Sequence, residues 1–99
     1  MANLISRMDN LQLEIILKAI SYSKRLQIIR HLIKYGECDI ERIARSIKVP
    51  YDTAFRNLSI LRGAGFIVSR TSSARILFKI NPLASSEVKI LIKIISNHA

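Results

Sequence analysis

The sequence predicts a mainly α-helical fold with one small β-hairpin, in the order α-α-α-α-β-β-α. Three observations predict it. Apolar residues recur at helical spacing in five separate stretches, at i, i+3, i+4, i+7 in Ile40, Ile43, Ala44 and Ile47. A β-rich run, Phe66-Ile67-Val68, and a partly alternating run, Arg75 to Ile80, flank the polar turn Thr71-Ser72-Ser73-Ala74. A chain of 99 residues has material for one small core, so residues 1–99 form a single domain.

Residues 1–10 read as a polar, irregular, partly ordered arm. The first helix, 11–20, carries two apolar stripes: Leu11, Ile15 and Ala19, then Leu13, Ile16 and Ile20. A helix on a small domain buries one face, so a second stripe asks for a second partner. Ser23 is the expected cap of the next helix, which buries Leu26, Ile29, Leu32 and Ile33 and stops at Tyr35-Gly36. Asp39 caps a short third helix with the apolar face Ile40, Ile43, Ala44 and Ile47. Lys48-Val49-Pro50 breaks that helix, because proline cannot continue one but suits a first turn. The fourth helix, 51–62, buries Ala54, Leu58 and Leu61. Its opposite side carries Asp52, Arg56 and Ser59, with Thr53, Phe55 and Ile60 at the margins. Gly63 and Gly65 end it.

The hairpin spans 66–80, and its turn lacks Asn-Gly, which leaves the register open. Asn81-Pro82, or Ser85 a little later, starts the last helix, taken as 83–97. Val88, Leu91, Ile92 and Ile95 form one face of it; Ile90 and Ile94 form another. Two short helices joined by a tight turn, the second with a polar outward face, then a basic hairpin, make a winged helix-turn-helix. The fourth helix is the recognition helix and 66–80 is the wing.

The stretch KRLQIIRHLIKYGECDIERIARSIKVPYDTAFRNLSILRGAGFIVSR resembles the winged helix-turn-helix repressors of the ArsR type, with the MarR-like group as a second resemblance. It covers about half of the chain, and TAFRNLSILRGAGFI is its most specific piece. The resemblance implies a homodimeric, sequence-specific regulator of double-stranded DNA. Two positions depart from the family pattern: Pro50 stands where a capping serine is common, and Phe55 where a small polar residue is usual. Phe55 is left with two readings, packing on a neighbouring helix or reaching a thymine methyl.

Charge points the same way. The formal net charge is +9 and the sequence pI near 10.3. Residues 42–79 hold Arg42, Arg45, Lys48, Arg56, Arg62, Arg70, Arg75 and Lys79 against Asp52 alone, a net of +7. A basic surface concentrated on the reading segment is the electrostatic footprint of nucleic-acid binding. No glycine-rich phosphate loop, nucleophile motif or paired-carboxylate cluster is present, so an enzyme is not expected. No apolar run is long enough for a membrane span and no secretion signal opens the chain, so the expected location is cytoplasmic, without membrane attachment.

In the recognition helix, Arg56 has the best outward phase, for guanine or for phosphate. Thr53, Asn57 and Ser59 are further candidates for base edges, with Asn57 nearer the flank, while Lys48 and Tyr51 at the helix entry suit the phosphate backbone. Asp52 suits a helix N-terminus and has the chemistry to accept from cytosine. Arg70, Ser72, Ser73 and Arg75 equip the wing for the minor groove or for phosphates. Cys38 lies in GECDI, where ArsR metal sensors place two cysteines, but here there is one. His31 and His98 have no ligand partner at metal spacing, so neither metal nor cofactor is expected, and Cys38 reads as a bland, partly buried thiol.

The terminal helices, 11–20 and 83–97, are expected to pair through Leu11, Ile15, Ile90 and Ile94 in a homodimer on a palindromic operator. The leading reading is a homodimeric repressor. The rival, from another class, is a winged-helix protein-interaction module within a transcription assembly.

Overall fold

The structure is a computed structural model, and it describes residues 8–98. Helix α1 spans Asn10–Ala19, α2 Ser23–Tyr35, strand β1 Cys38–Asp39, α3 Ile40–Ile47, α4 Tyr51–Gly63, β2 Ile67–Ser72, β3 Arg75–Ile80 and α5 Ser86–Asn97. The expected order stands, with a short strand added before α3. Most of the expected N-terminal arm lies outside the described residues. Its last residues are not irregular: Asp9 and Gln12 close a reciprocal capping box on α1. The Asp9 carboxylate accepts from the Gln12 backbone N–H at 2.8 Å, and the Gln12 side-chain Oε1 accepts from the Asp9 N–H at 3.2 Å.

Helix α2 is the pillar. It packs against α3, α4, α5 and β3. With neighbours on so many sides its buried face is broad, and it centres on Ile28, Ile29 and Leu32. Leu26 is only half-buried and Ile33 is exposed, so the stripe expected from spacing is rotated toward Ile28. Ser23 is the first helical residue rather than the cap. Tyr22 holds the cap position without a side-chain bond, and the Ser23 hydroxyl accepts from Gln27 Nε2 at 3.1 Å. The Lys24 ammonium donates to the Ile47 carbonyl at 2.8 Å, tying α2 to the end of α3.

Asp39 caps α3 as expected, accepting from the Arg42 N–H at 2.8 Å. Ile40, Ile43, Ala44 and Ile47 are all buried. So are Ala54, Leu58 and Leu61 of α4. Gly65, at φ +88°, takes the left-handed turn after that helix. The sheet order is β1-β3-β2, antiparallel throughout, with Cys38 opposite Phe78 and Ser72 opposite Arg75. The hairpin loop is therefore two residues, Ser73 and Ala74, at φ 49° and 66°. Both lie in the left-handed region that matches the strand twist, although neither is glycine. Phe66 and Phe78 bring the sheet into the core.

Helix α5 begins at Ser86, later than the expected 83. Asn81 does not cap it. Its amide donates to the Gly65 carbonyl at 3.0 Å and accepts from the Leu83 N–H at 2.9 Å, a turn of its own. Ser85 caps α5 by accepting from the Val88 N–H at 3.2 Å. Val88 and Ile95 are buried, and Leu91 and Ile92 pack against the core at its edge. Among the described residues no helix is long and apolar enough to cross a membrane.

His31 is a buried polar exception on α2. Its Nδ1 lies 3.0 Å from the Ser46 hydroxyl, and its Nε2 is buried without a partner among the described residues. Burial, with the nearby Arg42 cation, holds its pKa below the ordinary histidine value of 6.5. The unfolded chain therefore takes up the proton first. This contribution to stability is complete above about pH 6.5 and is lost as pH falls toward the folded value. We predict that His31→Phe flattens the loss of stability between about pH 7 and pH 5, read from urea midpoints. An unchanged slope would place the acid sensitivity elsewhere.

Candidate nucleic-acid interface

The turn between α3 and α4 depends on one strained residue. Lys48 adopts φ 59°, and its N–H bonds back to the last carbonyls of α3. Its ammonium is left exposed at the entry of α4. Pro50 then holds the N-cap position, and its carbonyl accepts from the Ala54 N–H at 3.0 Å. Two open hollows meet at Tyr51, which is 48% exposed. One, of about 490 Å³, lies between α3, the start of α4 and the wing turn, lined by Asp39, Ile40, Glu41, Arg42, Arg45, Tyr51, Ala74, Arg75 and Ile76. Its three guanidinium groups suit the phosphate backbone. The other, of about 720 Å³, lies along the outer side of α4 between Tyr51, Asp52, Phe55, Arg56 and Ser59.

The expected site residues divide accordingly. Arg56 is exposed and makes no hydrogen bond or ion pair among the described residues. Ser59 is half-buried on the same hollow. Thr53 is half-buried, and its carbonyl accepts from the Asn57 amide at 3.1 Å. Asn57 turns inward, because its carbonyl oxygen accepts from Arg25 Nη1 at 3.0 Å. Its amide is thus held on the scaffold side of α4, away from the outer hollow.

The wing arginines are exposed but engaged. Arg70 forms a forked pair with Glu37, at 2.8 Å from Nε and 2.6 Å from Nη2. This pairing holds the Glu37 carboxyl below the usual carboxylate range. Arg75 Nη1 lies 3.5 Å from Asp39 Oδ2. Ser72 is half-buried beside the turn and Ser73 is exposed at its tip.

Arg42 and Arg45, which the sequence offers only as part of the basic charge, are two further candidates for the interface. Their signal was present: both occupy the polar side of a helix whose other face is fully buried. Arg25 had no such signal. It is a buried guanidinium that donates to the Ala19 carbonyl at 2.6 Å, to the Lys18 carbonyl at 3.2 Å and to Asn57 at 3.0 Å. The Tyr22 ring centroid lies 4.2 Å from its central carbon. The end of α1, the entry of α2 and the middle of α4 are thereby fastened at one point.

Cys38 is buried in β1, and burial pushes its thiol pKa up, away from the thiolate that binds metal. Among the described residues no three His, Cys, Asp or Glu side chains gather as a metal site. On the terminal helices, Leu11, Ile15, Ile90 and Ile94 are 65%, 47%, 58% and 50% exposed.

No protein-family model and no curated protein matches the sequence. Solved structures do. Mb0332 from Mycobacterium bovis is a homodimeric winged helix-turn-helix DNA-binding domain described as a possible ArsR-family transcriptional regulator. It is 29% identical, with a TM-score of 0.74 over 88% of this chain and 77% of that one. The chain has an ArsR-like winged-helix fold. A predicted DNA-binding transcriptional regulator from E. coli is 26% identical at a TM-score of 0.72, over 90% of each chain. HlyU from Vibrio cholerae, at 22% identity, shares the fold at a TM-score of 0.76 over 92% and 97%.

Arg25 joins three elements of the scaffold through its three hydrogen bonds. Arg25→Met leaves three acceptors short of donors, and we predict a cost of about 1–3 kcal/mol in urea unfolding. Arg25→Lys keeps the charge but not the fork, so it restores only part of the loss. A neutral Arg25→Met would show that water serves these acceptors equally well.

Proposed function

We propose that the chain is a sequence-specific, double-stranded DNA-binding transcriptional regulator, acting as a homodimeric repressor. In this reading α4 enters the major groove of each half of a palindromic operator, and the wing lies on the adjacent backbone or minor groove. The observation that carries it is Arg56, exposed on the outer face of α4 and unpaired among the described residues, beside a hollow where Arg42, Arg45 and Arg75 outnumber Asp39 and Glu41. A solvated helix face explains exposure but not the clustering of cations around the entry of that same helix. The descriptions of Mb0332 as a DNA-binding domain and of the E. coli protein as a DNA-binding regulator support the same reading.

The experiment is selection of bound duplexes from a randomised library, followed by titration at several salt concentrations. Log affinity should fall steeply and linearly with log salt, because bound arginines and lysines displace condensed counterions. Arg56→Ala should cost about 1–3 kcal/mol and relax preference at one position per half-site. Equal loss on every sequence would make Arg56 a phosphate contact. No salt-dependent binding would favour the protein-interaction module instead.

Dimerisation rests on area. Leu11 and Ile15 on α1, with Ile90 and Ile94 on α5, leave apolar surface that soluble monomers avoid. Pairing about a twofold axis buries it, at roughly 25 cal/mol per Å², and Mb0332 is described as homodimeric. We predict that replacing Ile90 and Ile94 with Lys gives a folded monomer in sedimentation, with much weaker operator binding. A monomer that binds the whole operator at wild-type affinity would remove dimerisation from the reading.

A further inference from the structure

Phe55 stands apart from the other phenylalanines. Phe66 and Phe78 are fully buried, whereas Phe55 is 42% exposed on the outer side of α4. Its ring lines the outer hollow together with Tyr51, Asp52, Arg56 and Ser59, all from the same helix. Tyr51 lies four residues earlier and so on the same side. Every residue that lines this hollow among the described ones comes from α4, so the exposed part of Phe55 faces outward. Phe55 and Tyr51 together give this hollow two half-exposed rings, an apolar surface against which an apolar group of a partner can be buried.

The surroundings select the occupant. Arg56 borders the same hollow, and the neighbouring hollow, which shares Tyr51, holds Arg42, Arg45 and Arg75 against Asp39 and Glu41, with Arg75 beside Asp39. The fitting partner is a polyanion that carries an apolar group on the edge it presents to a helix. In the major groove of duplex DNA that group is the C5 methyl of thymine, the one apolar handle among the base edges.

We propose that Phe55 is a specificity-determining residue that reads the C5 methyl of thymine at one position per half-site. This rests on α4 being the DNA-reading helix. Because 5-methylcytosine carries the same methyl at the same place, a methylated cytosine at that position is read as thymine is, and an unmethylated one is not. The site thereby distinguishes methylated from unmethylated DNA through the same contact.

The test uses the full chain and a duplex selected from a randomised library. Each thymine is replaced in turn by deoxyuridine, which removes only the methyl. Wild-type affinity should fall about fourfold per half-site at one position, the factor carried by about 0.8 kcal/mol for one buried carbon group. Phe55→Ala should bind the thymine and deoxyuridine duplexes equally, with the salt slope of the wild type. Phe55→Leu should keep part of the discrimination. At the same position, 5-methylcytosine should bind more tightly than cytosine only when Phe55 is present. Circular dichroism checks that the variants fold, as the exposure of the ring implies. If no position shows a methyl effect that Phe55→Ala abolishes, the proposal is overturned. Salt-dependent binding without any selected sequence overturns it too, yet leaves DNA binding standing. Failure to bind any duplex removes the DNA reading itself and Phe55 with it.

Discussion

A guanidinium taken out of water needs an acceptor on each edge it hides. Arg25 finds them in the last carbonyls of α1 and in the side chain of Asn57, with the Tyr22 ring against its face. No carboxylate is involved. The partial negative charge at a helix C-terminus takes that role. The consequence is geometric. The helix with the exposed apolar stripe and the helix with the outward arginine cannot shift relative to each other without breaking this fork. In a core dominated by Ile28, Ile29, Leu32, Leu58 and Leu61, it is a directional element, as is the buried His31 with its Ser46 partner.

The helices were legible because their apolar residues recur at fixed spacing and because Asp39, Gly36 and Gly65 mark ends with a known mechanism. What was misread follows physical lines. The rotated face of α2 reflects neighbours on several sides, which a one-face pattern cannot report. Strand β1 is two residues long, and periodicity has nothing to act on at that length. The start of α5 was ambiguous between two good caps. Asn81 lost because its amide is held by the Gly65 carbonyl across the turn after α4, a contact sixteen residues away in sequence.

The outer face of α4 was legible from phase alone, since residues that avoid the Ala54, Leu58, Leu61 stripe must turn outward. Asn57 shows the limit. Its phase put it at the flank, and only its distant partner Arg25 decided which way the amide turns. Likewise Arg70 and Arg75 were visible as wing cations, but Asp39 read only as a helix cap and nothing in the sequence tied Glu37 to the wing. Strand pairing of β1 with β3 brings those carboxylates beside the wing.

Those two ion pairs bear on how the protein, under the proposed reading, treats the great excess of wrong DNA. A free arginine is drawn to any phosphate. Arg70 and Arg75 begin with carboxylates of their own, so a passing duplex must offer something better than an exchange of one anion for another. Chance encounters along a chromosome gain little from the wing. A correct site, already gripped by α4, holds its phosphates beside the wing long enough for the exchange to be worthwhile. Under that reading the two carboxylates act on the ratio of operator to background affinity, which is the quantity that matters among competing genomic sites.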